Sequence, residues 1–224
     1  MVTRPPPSIS VSALIRLLPV ALMSIVATPL WPEHGHALRV FHLHLNALGL
    51  VGLAALGTLP VLLPTVLGRT DPQAAYWLRQ RWRRVVGGAL AIALGAAVFW
   101  PLAMVGAYFM VVAACCLFGQ WRRQFGLRAL LADGVACSLL GAVAGLLLTL
   151  MVGVVHGVGL LPGRTVLLVW GAGFLLPLVS GALSQLLPVW RWPGPAIPAR
   201  QLMRQKLAAT GGLRALLFLA GALA

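Results

Sequence analysis

The sequence is poor in charge, above all negative charge. Only 9% of its 224 residues are charged, and only Glu33, Asp71 and Asp133 are acidic. An ordinary soluble domain carries roughly 25% charged residues, so a soluble fold is excluded, and no hydrolase or kinase motif is present. Neither CxxC nor any other metal-ligand spacing links the three cysteines, Cys115, Cys116 and Cys137. All three lie in apolar runs and read as small packing residues. A continuous basic stripe able to track phosphates is also missing, because the seventeen lysines and arginines fall in short bursts. Nucleic acid is therefore excluded as a partner despite a net charge of +14, and the partner expected is the lipid bilayer.

What the sequence has in abundance is apolar length, being 60% hydrophobic with a mean hydropathy of +0.95. A spanning helix needs about 20 mostly apolar residues. On that ruler the sequence predicts an all-α, polytopic transmembrane helix bundle of about seven spans. Residues 1–10 form a Pro-rich N-terminal segment carrying Arg4. Residues 11–224 form a single transmembrane domain with spans at about 11–31, 38–67, 85–100, 101–120, 129–155, 165–190 and 207–224. The first run is longer than a signal-peptide core and has no clear small-x-small cleavage site, so it is read as a retained helix. Trp100 and Pro101 mark a tight turn dividing the long run between Val85 and Gln120. Pro60, Pro64, Pro177 and Pro188 are expected to kink or end spans. The last run is apolar up to Ala224 and lacks the polar flank that ends a span, the pattern of a fragment of a longer protein.

Arginines set the expected orientation, since short loops that carry them stay in the cytoplasm. Three stretches hold twelve of the seventeen basic residues: the loop from Gly68 to Arg84, the loop from Trp121 to Arg128, and the stretch from Arg191 to Lys206. Arg4 and Arg16 lie on the N-terminal side, and Arg39 and Arg164 alone fall on the opposite face. The N-terminus is thus expected in the cytoplasm of a bacterial inner-membrane protein.

That orientation gathers all five histidines on or near the outer face. His34 and His36 fall in the first outer loop, His42 and His44 begin the second span, and His156 ends the fifth. At 100° per residue His42 and His44 point about 200° apart, whereas His42 and Asn46 stack one turn apart on a single face. That face continues through Gly49 toward Leu53 and Gly57, where small residues admit a neighbouring helix or a flat ring. Neutral imidazole is the commonest transition-metal ligand and the usual axial ligand of haem iron. His34, His36, His44 and His156 also suit loop or interfacial positions, while ionisable groups inside a span usually serve function. Asp133, near Arg128, is read as a salt-bridge or helix N-terminal charge rather than a proton relay.

The stretch from Phe41 to Leu53 (FHLHLNALGLVGL), followed by Gly57 to Pro60 (GTLP) and Leu63 to Thr65 (LPT), resembles the second helix of the haem-copper oxidase catalytic subunits. It is also similar to the NnrS-type haem and copper membrane proteins, and Gly181 to Pro188 (GALSQLLP) closes the sixth span in a similar way. The resemblance covers about a fifth of the chain. It implies a haem or copper ligand from His42 or His44 near the outer face, with Asn46 beside it and His156 as a ligand from another span. It also implies a redox partner or further membrane subunits.

An oxidase would add a copper ligand on its sixth helix and a histidine pair on its seventh. Here the sixth span has no histidine and the seventh run stops at Ala224, so oxygen reduction is not expected from this chain alone. Either the missing ligands lie in an absent C-terminal half, or the protein binds haem or copper without the full centre. The competing reading is a permease or non-catalytic membrane component with interfacial histidines. No inverted repeat and no pair of Gly/Pro-broken spans in corresponding halves is evident in the sequence to favour it.

Overall fold

The computed structural model describes residues 9–195 and 197–223; of the N-terminal segment, residues 1–8 with Arg4 lie outside them. Among the described residues the chain is all helical, with no strand. Its helices are α1 (Ile9–Val26), α2 (Pro32–Val66), α3 (Ala74–Val98), α4 (Trp100–Phe125), the short α5 (Leu127–Ala132), α6 (Gly134–Gly157), α7 (Gly163–Arg191) and α8 (Pro198–Leu223). Five of them, α2, α4, α6, α7 and α8, are long and apolar enough to cross a membrane. The remaining two of the seven expected spans correspond to α1, whose apolar stretch is Leu17–Val26, and to α3.

Helix α3 departs most from expectation, because it begins at Ala74, inside the stretch read as a basic loop. Arginine is a good helix former, and Ala74, Trp77, Trp82, Val85, Ala89 and Ile92 recur at helical spacing along a buried face. Arg83 and Arg84 stand on the exposed side of the same helix. The expected turn at Trp100 and Pro101 is present one residue earlier. Phe99 is extended (φ −150°, ψ 93°), and Pro101 sits in the first turn of α4, where a missing N–H costs nothing.

The expected fifth span divides between α5 and α6. At that break the Asp133 carboxylate accepts hydrogen bonds from the N–H groups of Val135 (2.8 Å) and Ala136 (3.0 Å), which caps α6. Asp133 also pairs with Arg204 at 3.8 Å, not with Arg128 or its neighbours. This bears out its structural reading.

None of the four prolines ends its helix on the spot: α2 runs past Pro60 and Pro64 to Val66, and α7 past Pro177 and Pro188 to Arg191. The irregularity lies upstream of them. Each of the two helices contains a π-helical segment, Leu45–Gly52 in α2 and Val169–Leu175 in α7. In α7 the cause is near at hand, since Pro177 cannot bond to the carbonyl four residues back, that of Gly173, and its ring displaces it.

The interval from Leu45 to Val169, where the segments start, also separates Gly49 from Gly173, Gly57 from Gly181, Pro64 from Pro188, and Gly87–Gly88 from Gly211–Gly212. The contacts repeat as well. The first π segment packs on α1 and α3, the second on α6 and α8. The chain thus carries a pair of corresponding interrupted helices that its glycines and prolines alone did not reveal.

Contacts divide the chain into one unit of residues up to Pro60 with Pro72–Ala113, and a second of Val61–Asp71 with the residues from Ala114 onward. In the first, a Cβ on Gly88 would lie 2.9 Å from the Gly106 carbonyl, so α3 and α4 meet backbone to backbone. In the second, a Cβ on Gly145 would fall on the Gly173 carbonyl and one on Gly211 on that of Gly134. Close approach through glycine replaces the hydrophobic drive that lipid removes. Gly145→Leu should therefore cost about 3 kcal/mol, read as a loss of detergent-purified folded protein in denaturant unfolding. Gly153→Leu, where a Cβ meets nothing within 4 Å, should stay within about 0.5 kcal/mol of wild type. Equal stability of the two variants would contradict the packing described.

Candidate functional site

His42 lies on α2 just before the π segment, half-buried. Its Nδ1 is 2.6 Å from the carbonyl oxygen of Ala21 on α1. A carbonyl can only accept, so Nδ1 carries a proton, and in the neutral tautomer the lone pair is at Nε2. The Asn46 amide meets that lone pair. Its Nδ2 donates to the His42 backbone carbonyl at 2.8 Å and lies 3.2 Å from His42 Nε2, and the carbonyl contact fixes which amide atom is nitrogen. The one-turn stacking of His42 and Asn46 expected from helical geometry is thus present. Ser24 completes the cluster by donating to the same Ala21 carbonyl at 2.6 Å, with its Oγ 3.5 Å from His42 Nδ1.

The other two candidate histidines are oriented in the same way. His44 Nδ1–H donates to the Val40 carbonyl at 2.8 Å, one turn back on α2. His156, near the end of α6, donates from Nδ1 to the Leu161 carbonyl at 2.7 Å, and a Cβ on Gly163 would lie 3.5 Å from its Cε1 and Nε2. In all three a backbone carbonyl faces Nδ1, and in His42 the Asn46 amide meets Nε2. Orienting a ring through its other nitrogen is how proteins prepare a histidine for a metal.

His42, His44 and Asn46 belong to the first unit and His156 to the second. Among the described residues no group of three His, Cys, Asp or Glu side chains is close enough to hold a metal ion. His34 and His36 are exposed, and His34 pairs with Glu33 at 3.4 Å.

Sequence reasoning missed Ala21 and Ser24, which are eighteen or more positions from His42 and carry no motif of their own. It also passed over Arg214, a charged residue within the last apolar run. Arg214 donates to Ser184 Oγ at 3.0 Å and to the Leu207 carbonyl at 2.9 Å. Arg204 similarly donates to Gln185 at 2.9 Å and to the Val66 carbonyl. An arginine inside a span was signal enough to single out the first of these.

The face expected to run unbroken from His42 to Gly57 is not a straight stripe. A π segment turns through less than the ~100° per residue of an α-helix, so positions beyond Gly52 are rotated relative to the histidines. Gly49 and Gly52 are buried nonetheless, and a Cβ on Gly52 would lie 3.8 Å from the Met110 side chain of α4.

His42 and Asn46 should prove energetically coupled. Each single Ala substitution should cost about 1–2 kcal/mol, and the double variant should fall short of their sum by about 0.5 kcal/mol or more. Chemical unfolding in detergent measures the cycle, and strict additivity would show that the contact contributes nothing. The chain matches no protein-family model, no curated protein and no solved structure, so the reading of this site rests on its geometry.

Proposed function

We propose that the chain is a seven-span protein of the bacterial inner membrane, with its N-terminus in the cytoplasm, that holds a haem or a copper ion through Nε2 of His42 or His44 near the outer face. Its role is then redox chemistry or metal handling, with electrons exchanged with a redox partner or a further membrane subunit. The observation that carries the proposal is the anchoring of the ring proton on Nδ1 by the carbonyls of Ala21 and Val40, immediately before a π-helical segment, a feature frequent at functional sites. Haem fits this donor set better than copper. One axial imidazole suffices for haem iron, whereas a copper centre draws on several nitrogen or sulfur ligands. The resemblance of Phe41 to Leu53 to an oxidase helix bearing a haem ligand at that depth points the same way. His156, anchored alike, is a further candidate ligand in its own unit.

A permease is the second reading, and the paired π segments of α2 and α7 favour it. Helices interrupted at corresponding places in two repeats are where transporters hold their substrates. The optical spectrum of the purified protein separates the two. A Soret band that His42→Ala or His44→Ala removes or shifts is expected, and Asn46→Ala, which clears His42 Nε2 of the amide, should not weaken it. Neither haem nor bound copper in the intact protein, or spectra unchanged in both histidine variants, would leave the permease reading standing.

The orientation has its own test, in a background lacking Cys115, Cys116 and Cys137. An impermeant thiol reagent should label His36→Cys in intact cells and Arg81→Cys only after permeabilisation, because the arginines of α3 resist transfer across the membrane. Labelling of Arg81→Cys from outside would reverse the topology.

A further inference from the structure

An open apolar groove of about 590 Å³ lies in the second unit, bounded by α4, α5, α6 and α8. Its walls include Phe118, Leu131, Leu140, Leu147, Leu216 and Leu219. Along α6 the lining runs from Cys137 to Leu147, about 15 Å at 1.5 Å per residue. That is half of a hydrocarbon core about 30 Å thick, the depth one leaflet's acyl chain occupies.

Two arginines stand next to wall residues where α4 gives way to α5. Arg122 follows the wall residue Phe118 by one helical turn on the same face of α4, and Arg128 sits on α5 between the wall residues Leu127 and Leu131. Both arginines are exposed. Of the carboxylates in this unit, Asp133 is engaged at the α6 cap and with Arg204, and Asp71 accepts from Gln120 at 2.8 Å.

From this pairing of an acyl-length groove with two guanidiniums at its head, we infer a binding site for one anionic phospholipid. An acyl chain lies along α6, and the phosphate is held by Arg122 and Arg128. Guanidinium groups suit phosphate because they offer parallel N–H donors, and basic residues at the membrane surface draw anionic lipid. A zwitterionic lipid would fill the same hollow but present no net charge to the arginines. The site is independent of any cofactor on α2.

Native mass spectrometry of the whole detergent-purified chain, titrated with phosphatidylglycerol or phosphatidylcholine, tests the inference. The wild type should retain a single phosphatidylglycerol at about tenfold lower lipid concentration than phosphatidylcholine. Replacing both arginines, Arg122→Gln with Arg128→Gln, should abolish that preference. Arg191→Gln with Arg200→Gln, which removes the same charge from the end of α7 and the start of α8, should preserve it. Ala144→Trp, which fills the groove and leaves the arginines in place, should remove the retained lipid. If that variant fails to fold, the arginine pairs decide alone. Equal retention of the two lipids, or a preference that survives loss of Arg122 and Arg128 or vanishes with the control pair, overturns the inference. So does a dimer broken by Ala144→Trp, since the groove would then seat a helix from a second copy.

Discussion

In lipid, every backbone polar group must find its partner within the protein, and much of the architecture follows from that constraint. Polar side chains on the long helices turn back onto their own carbonyls. Thr58 donates to Ala54, Thr65 to Val61, Thr149 to Gly145 and Ser184 to Ser180, at 2.7 to 2.9 Å. Where helices must meet, the contact is through glycine, as at Gly145 over Gly173. Where a regular helix gives way, it does so as a π segment that keeps its hydrogen bonds inside the chain. The imidazoles obey the same rule, and the Nδ1–H groups of His42 and His44 are directed at the carbonyls of Ala21 and Val40.

Much of this was legible in the sequence. Apolar runs of spanning length mark α2, α4, α6 and α7, and Trp100–Pro101 marks the turn before α4, because both depend on local composition. The start of α3 was hidden by the weight given to charge. Arg79 to Arg84 read as a loop, although the same residues favour a helix once Trp77 and Trp82 have a surface to cover. Asp133 was readable as a helix-terminal charge from its position alone, but its partner Arg204 was not, since that pairing depends on tertiary placement. Of the candidate site, the His42–Asn46 stack follows from spacing within one helix. Ala21 and Ser24 belong to another helix, and nothing local marks them.

The repeat was the least legible feature. The matched glycines and prolines are scattered among leucines and valines, which recur throughout such a chain without meaning. The π segments single them out by giving both copies the same origin. With the copies aligned by that interval, their chemistry differs. The positions corresponding to His42 and Asn46 are Val166 and Trp170, so the imidazole cluster exists in one copy only. The shared scaffold serves packing, and the polar cluster is an addition to one half of it.

A π segment is what an α-helix becomes when it absorbs surplus residues without breaking, and so it sets the phase between its two ends. In α2 the histidines lie on one side of such a segment and the Gly57 to Pro64 stretch on the other. Any adjustment that traded π turns for α turns would swing the imidazoles around the helix axis while the proline end stayed seated. The helix would then act as an indexed shaft, its discrete angular settings chosen by winding rather than by bending.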